Sequence, residues 1–333
     1  NKLKKIKKKN IFPNEGYLID FLLSKNSKKK KNYELELKYL ENFQTKCFNS
    51  RNEFNIQGLF YYNEVISKHY NKISFSKSKF KNKEFTDVNP IFIIGLPRSG
   101  STLIESCIFA SDSNVISLGE TSIFNTGIID QIKNSIYEKN FRSENFDFKL
   151  DIDELRANVL NVYTNYFPTD IKNFFFIDKS LENFFNIEAI LKIFPKAKFI
   201  HSKRNLKDCA IAIYQSMLPE LPWVHSIPDI LSYFDHYIKI ISFYEKKFPN
   251  KILTIDLKEL TQDQEFYTKK IFSFCGLKWS SDILEFYKKK NLIVKTLSNA
   301  QLRSKITSYN QSKYKSYENL LYDFKGKYYW LKE

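Results

Sequence analysis

Eight consecutive residues, Gly95-Leu96-Pro97-Arg98-Ser99-Gly100-Ser101-Thr102, carry the clearest chemical signal in the chain. Gly95, four residues, Gly100 and then Ser101-Thr102 match the phosphate-loop pattern Gly-x4-Gly-Lys-Ser/Thr at every fixed position but one. The lysine that reaches the β- and γ-phosphates in that pattern is Ser101 here. A triphosphate would find no point cation in such a loop. Arg98 offers instead a planar fork suited to an oxyanion with several equivalent oxygens. The loop is therefore expected to hold a phosphate-like group through backbone N–H groups and a helix N-terminus, rather than ATP or GTP with magnesium. Three more charged residues stand where an apolar run stops: Glu120 shortly after Val115-Ile116, Lys179 after residues 174–177, and Arg204 after residues 198–202.

Placing these groups together takes an alternating chain. Residues 91–94 are apolar, and Ile91, Ile93 and Ile94 are β-branched, which predicts a short strand buried on both faces. Similar runs predict strands at 115–116, 174–177, 198–202 and 252–255. Helical spacing follows the loop and recurs at 123–139, 152–166, 187–194, 206–217, 229–248, 264–275 and 281–289. Such alternation predicts an α/β fold, a P-loop-type parallel β-sheet flanked by helices. Ligands of these sheets bind beyond the C-terminal strand ends, where Arg98 to Thr102, Lys179 and Arg204 all fall. Residues 1–88 are expected to form a small helical N-terminal segment: a lysine-rich leader to residue 31, two or three helices between 33 and 70, then a polar linker. Residues 89–333 are expected to form the α/β domain.

The chain has 333 residues, 43% hydrophobic and 17% aromatic, which is ample for a core and too apolar for disorder. Its formal net charge of +16 would suit nucleic acid. The lysine excess, however, runs through the whole chain and concentrates at 2–9 and 28–31, where solvation is expected, so no nucleic-acid partner is inferred. Cys47, Cys107, Cys209 and Cys275 are far apart, which indicates neither a zinc site nor a disulfide framework. Cys107 and Cys209 fall on apolar helical faces. The four histidines are equally scattered, so no metal is expected. No apolar run reaches the length of a membrane span, and no signal core follows the basic start. A cytoplasmic location is the expectation.

Residues 95–103 followed by Phe199-Ile-His-Ser-Lys-Arg204-Asn-Leu-Lys-Asp208 resemble the two cofactor motifs of sulfotransferases that use 3′-phosphoadenosine 5′-phosphosulfate (PAPS). Gly119-Glu120-Thr121 and Asp178-Lys179 look like the acid-base elements of tyrosylprotein sulfotransferases. Residues 274–279 and 294–303 look like the C-terminal signature of their bacterial relatives, in which the domain often follows tetratricopeptide helices. The match runs in order from about Asn89 to Tyr317.

This resemblance implies a PAPS-dependent transferase without a metal, acting on a hydroxyl of a protein tyrosine, a glycan or a small molecule. It implies that Arg98 and the N–H groups of Ser99, Gly100, Ser101 and Thr102 hold the 5′-phosphate and sulfuryl oxygens. Glu120 would take the acceptor proton, and Lys179 would bond the oxygen bridging sulfur and phosphorus. Arg204, Ser298 and Arg303 would hold the 3′-phosphate region, with Lys305 a further candidate. Three positions depart from the pattern: Leu206 replaces a Pro, Ala212 a Ser that would bond the 3′-phosphate, and Leu257 a Tyr. Residues 218–227, with Pro219, Pro222 and Trp223, are expected to break a helix and expose an aromatic toward the acceptor. Two other readings are a nucleotide kinase or NTPase with a degenerate loop, and a non-catalytic relative that binds partners through its N-terminal helices.

Overall fold

The structure, a computed structural model, describes residues 16–79, 88–111, 114–137, 146, 148–166, 174–288, 306–310 and 312–332. Its strands are β1 (Ser74–Phe75), β2 (Asn89–Gly95), β3 (Val115–Gly119), β4 (Lys149–Leu150), β5 (Phe175–Asp178), β6 (Lys198–Lys203) and β7 (Ile252–Asp256). Its α-helices are α1 (Gly16–Lys29), α2 (Tyr33–Ser50), α3 (Asn52–Phe60), a last short turn α4 (Ser67–His69), α5 (Ser101–Phe109), α6 (Ile123–Tyr137), α7 (Ile152–Tyr163), α8 (Ile187–Ile193), α9 (Leu206–Tyr214), α10 (Ile227–Lys247), α11 (Leu257–Gln262) and α12 (Gln264–Cys275). The chain divides into two compact units. One comprises Lys68–Arg204 and Ile240–Tyr309, the other Asn1–Ser67, Asn205–Lys239 and Asn310–Glu333.

The first unit is the expected α/β fold. Five strands form an all-parallel sheet in the order β3-β5-β2-β6-β7. Alternation along β2 sends Ile91 and Ile93 to one face, where they join Ile104, Cys107 and Ile108 of α5, Leu260 of α11, and Ile271 and Phe272 of α12. Phe92 points to the other face and meets an aromatic group. Its ring stacks on Phe199 at 5.4 Å and lies 5.9 Å from Phe124 of α6 and 6.1 Å from Phe176. A strand flanked by two apolar layers has to read as a continuous apolar run, as residues 91–94 do.

Three local expectations need correction here. Ser74-Phe75, assigned to a polar linker, pairs in parallel with Lys149-Leu150; a two-residue strand has no alternation to read. Residues 281–289 were expected to be helical, and Ser281–Lys288 instead winds as a 3-10 segment kinked at Glu285 (φ −105°, ψ 22°). Helix α9 stops at Tyr214, three residues short of the expected end. The next N–H, of Ser216, bonds the Ile213 carbonyl at 2.8 Å, an i→i−3 contact that tightens and closes the last turn ahead of Pro219.

In the second unit α1 and α2 pack against each other, burying Leu23, Leu40, Phe43 and Cys47. Helix α1 falls within the stretch read as a lysine-rich leader, whose lysines at 28–31 were expected to be solvated. Lys29, Lys30 and Lys31 are exposed, but Lys28 is not: its ammonium bonds Gln215 Oε1 at 2.6 Å and lies 3.9 Å from the buried Glu36. Burial pulls Lys28 below the ordinary lysine range, against the attraction of Glu36. The Tyr317 hydroxyl donates to Glu36 at 2.6 Å.

The same unit buries His225. Its Nδ1 pairs with Gln44 Oε1 at 2.8 Å, and Gln44 Nε2 donates to the Tyr214 carbonyl at 2.7 Å. Burial pulls His225 from 6.5 down to about 4. The unfolded chain therefore takes up a proton below about pH 6.5 that the folded chain refuses until about pH 4. Stability should fall as pH drops through that window, by up to about 3 kcal/mol from this residue alone. Thermal melts of wild type and His225→Gln from neutral pH to pH 4 should show a shallower acid loss in the variant; parallel curves would show that the histidine charges freely in the fold.

Candidate active site at the C-terminal strand ends

The phosphate-type loop bridges β2 and α5, and its backbone is unusual at three points. Gly95 has φ 140°, Arg98 φ 66° and Gly100 φ 103°. Gly95 cannot carry a side chain, because a Cβ there would lie 2.6 Å from the Ser202 carbonyl oxygen on β6. A Cβ on Gly100 would lie 2.6 Å from Leu257 Cδ1. Leu257, found where the resemblance implies a tyrosine, thus closes one side of the loop with hydrocarbon. Ser99 donates from Oγ to Ser202 Oγ at 3.0 Å, and Ser202 Oγ donates back to the Ser99 carbonyl at 3.2 Å. Gly100 occupies the N-cap of α5 without a side chain to cap it. The left-handed residues and the helix N-terminus make a cradle whose fixed partial charge is positive, as an oxyanion needs.

One strand pair away, β3 and β5 end side by side, and the Lys179 N–H donates to the Gly119 carbonyl at 2.8 Å. This contact places Glu120 and Lys179 together. The Lys179 ammonium makes an ion pair with Glu120 Oε1 and lies 3.7 Å from Glu105 Oε2 on α5. Lys179 and Glu105 are almost wholly buried, with side-chain exposures of 1% and 2%, whereas Glu120 is 56% exposed. Glu105 Oε1 accepts from the Ser117 hydroxyl at 2.6 Å. Burial pushes the Glu105 carboxyl above the usual range, against the pull of the Lys179 ammonium and the Ser117 hydroxyl.

Asp178 locks this corner. It is fully buried and accepts from Thr121 Oγ1 at 2.6 Å, the Tyr163 hydroxyl at 2.5 Å and the Ser180 N–H at 2.7 Å. Ser180 Oγ in turn accepts from the Ser122 N–H at 2.8 Å. The turn that carries Glu120 is therefore tied to the strand end that carries Lys179. Burial and the Asp178 carboxylate push Tyr163 well above the ordinary phenol range, so it acts as a hydrogen-bond donor.

Arg204 follows β6 and reaches back across the sheet edge. Its Nη1 donates to the Arg98 carbonyl at 2.9 Å, and its guanidinium lies 5.2 Å from the Tyr309 ring centroid. The Tyr309 N–H donates to Thr261 Oγ1 at 3.2 Å. Arg98, Glu120, Lys179 and Arg204 thus end up at the C-terminal ends of β2, β3, β5 and β6, which are neighbours in the sheet. Direct contacts join them in two groups, Glu120 with Lys179 and Arg98 with Arg204. Ser99 is buried in the loop, and Ser101 and Thr102, also buried, form the start of α5. Ser298, Arg303 and Lys305 lie outside the described residues.

One residue of this corner escaped the sequence reading. Glu105 shares the buried stripe of α5 with Ser101, Ile104 and Ile108, so a charge at an apolar helical position was the available signal. Asp178, singled out beside Lys179 in the sequence, proves to be the lock of the corner rather than a group facing the acceptor: it ends a run of buried residues, where a carboxylate must find donors. One expectation fails. Trp223 is buried, with 1% exposure, and stacks on Tyr233 at 3.7 Å between ring centroids, so it presents no aromatic to an acceptor. Pro222 starts a short 3-10 turn that carries the indole inward. Among the described residues no three His, Cys, Asp or Glu side chains converge as a metal site would require, and no helix is long and apolar enough to cross a membrane.

An all-parallel α/β sheet with a glycine-bounded loop running from a central strand into a helix N-terminus defines a fold of the phosphate-loop type. Residues 90–281 match the sequence model of the Sulfotransferase family, and the chain belongs to that family. It is 31% identical over 257 residues to an uncharacterized protein of Aquifex aeolicus (strain VF5), a match covering 73% of this chain and 32% of the relative. The chain thus spans about a third of that relative's length. The sulfotransferase domain of the Synechococcus PCC 7002 olefin synthase shares the fold, with a TM-score of 0.51 at 17% identity over 72% of this chain and 92% of that one.

Proposed function

We propose that the chain transfers the sulfuryl group of PAPS to an acceptor hydroxyl, in the manner of the tyrosylprotein-like bacterial members of the family. The observation that carries this reading is the Glu120–Lys179 pair at the end of β3 and β5, one strand from the anion loop. PAPS would supply a sulfuryl group bonded to a phosphate oxygen, a good leaving group once its charge is neutralised. The cradle fits such a ligand: its N-terminal amides and Arg98 suit the 5′-phosphate and sulfuryl oxygens. Arg204, fixed through the Arg98 carbonyl and the Tyr309 ring, suits the 3′-phosphate. Ser298 and Arg303 keep the same proposed role from the sequence alone.

Glu120 is exposed enough to meet an acceptor and is the proposed base: one Oε takes the hydroxyl proton as the acceptor oxygen attacks sulfur. The bond from sulfur to the bridging oxygen breaks, its electron pair stays on the phosphate, and Lys179 donates a hydrogen bond to that oxygen. The products are a sulfate ester and adenosine 3′,5′-bisphosphate, with the proton on Glu120. In-line transfer of this kind asks mainly for positioning and charge, as phosphoryl transfer does. Retention of Glu120 and Lys179 argues against a non-catalytic relative.

Binding of the bisphosphate product tests the reading without an acceptor. Melting of the full chain should rise with adenosine 3′,5′-bisphosphate far more than with ATP and magnesium. Arg204→Ala should weaken the bisphosphate about 10- to 100-fold, the worth of a charge-assisted contact. Equal stabilisation by ATP with magnesium would point to a kinase or NTPase, and an unchanged Arg204→Ala affinity would remove Arg204 from the site.

A further inference from the structure

The mechanism above gives no task to Glu105, a buried ionisable group beside its reacting residues. Glu105 sits inside the protein on α5, at ion-pair distance from the amine that the proposed reaction relies on, and its Oε2 makes no hydrogen bond. A carboxylate at such a position costs the fold stability, since desolvation outweighs what Lys179 and Ser117 return. An Ile or Leu there would extend the stripe of Ile104 and Ile108 without that cost. The cost has a physical counterpart in the arrangement of charge. Lys179 lies between two carboxylates, Glu120 on the solvent side and Glu105 on the interior side.

We propose that Glu105 is a positioning residue for Lys179: it holds the ammonium in place and charged at the moment Glu120 accepts a proton and ceases to be its counter-ion. The inference rests on the sulfuryl-transfer reading for its purpose, but its physical content concerns only the three side chains. With both carboxylates ionised, the group carries one positive and two negative charges. Once Glu120 is neutral, one of each remains, and Lys179 still faces an anion. Without Glu105 the same step would leave a buried ammonium with no carboxylate of the protein beside it, held only by the leaving oxygen to which it must donate. The hydrogen bond from Ser117 fixes Oε1 and so turns Oε2 toward the amine. Glu105 does not touch the reacting atoms in this account; it acts through Lys179.

The test needs neither donor nor acceptor. The full chain is labelled with carbon-13 at the lysine Cε, and the Lys179 signal is identified by its loss in Lys179→Met. In Glu105→Gln the Lys179 ammonium, relieved of one neighbouring anion, should give up its proton at a lower pH than in the wild type. A titration that superimposes on the wild type overturns the proposal, because a group with a purely structural role would lower the melting temperature and leave this curve where it was. Should Glu105→Gln fail to fold, Ser117→Ala removes only the hydrogen bond that aims the carboxylate. It should move the Lys179 titration in the same direction by a smaller amount, and no movement overturns the proposal equally. The bisphosphate melt stands apart from this measurement: a shifted titration in a chain that ignores the bisphosphate would refute the transferase reading alone.

Discussion

Glu120→Gln should abolish sulfuryl transfer, by about 10²- to 10⁴-fold, while the protein still folds and still binds adenosine 3′,5′-bisphosphate. The amide keeps an oxygen that can accept from the Lys179 ammonium, so the corner made by β3 and β5 stays assembled. What disappears is the second ionised oxygen that can take a proton. Stability should change little, because the buried Lys179 ammonium keeps Glu105 beside it as a counter-ion. The readout is transfer of labelled sulfur from PAPS to a panel comprising a tyrosine peptide, an oligosaccharide and a simple phenol, beside the bisphosphate affinity. Turnover at the wild-type rate would remove Glu120 as the base and leave Lys179 and the loop with a binding role only.

Gly95→Ala should cost about 3–5 kcal/mol and take nucleotide binding with it. Two penalties add. The φ of 140° lies where an L side chain is strained, and the new Cβ would meet the Ser202 carbonyl oxygen at 2.6 Å. That oxygen belongs to the ladder between β2 and β6, where Gly95 is opposite Ser202, so it cannot swing aside as a side-chain tip would. Relief would require prising two central strands apart at the point where the loop begins. Gly119→Ala is the matched comparison. Its φ of 71° is also left-handed, but no atom lies within 4 Å of the added carbon, so about 1 kcal/mol is expected. Denaturant midpoints should therefore separate the two variants widely. Equal midpoints would mean that the loop tolerates an opening the geometry forbids.

The parallel sheet was legible because burial on two faces writes itself as an apolar run, as at 91–94 and 174–177. The shape of the loop between β2 and α5 was legible because glycine spacing reports backbone conformation. The order of the strands was not: nothing in the residues of β5 says that it inserts between β3 and β2. The left-handed turn at Arg98 was also hidden, since only glycine advertises such a conformation. Glu105 reads in the sequence as one more charge in a chain rich in charge, and only the packing of α5 against β3 reveals it as interior. Trp223 misled for the opposite reason, because prolines mark a break in a helix without saying which way the next side chain faces. Lys28 shows the same limit, since a run of lysines does not announce that one member reaches a buried acid.

The strand order also bears on how the protein is made. β2 lies at the middle of the sheet, yet its two partners are β5 and β6, with Asn89 opposite Phe175 and Ile91 opposite Lys198. A nascent chain leaving the ribosome therefore presents its most apolar strand long before either neighbour has been synthesised. During that interval the Ile91–Ile94 stretch has bare hydrogen-bonding edges on both sides, a template for pairing with other chains. Chaperone shielding early in synthesis is the natural remedy, and the anion loop can take shape only after β6 has arrived to close it.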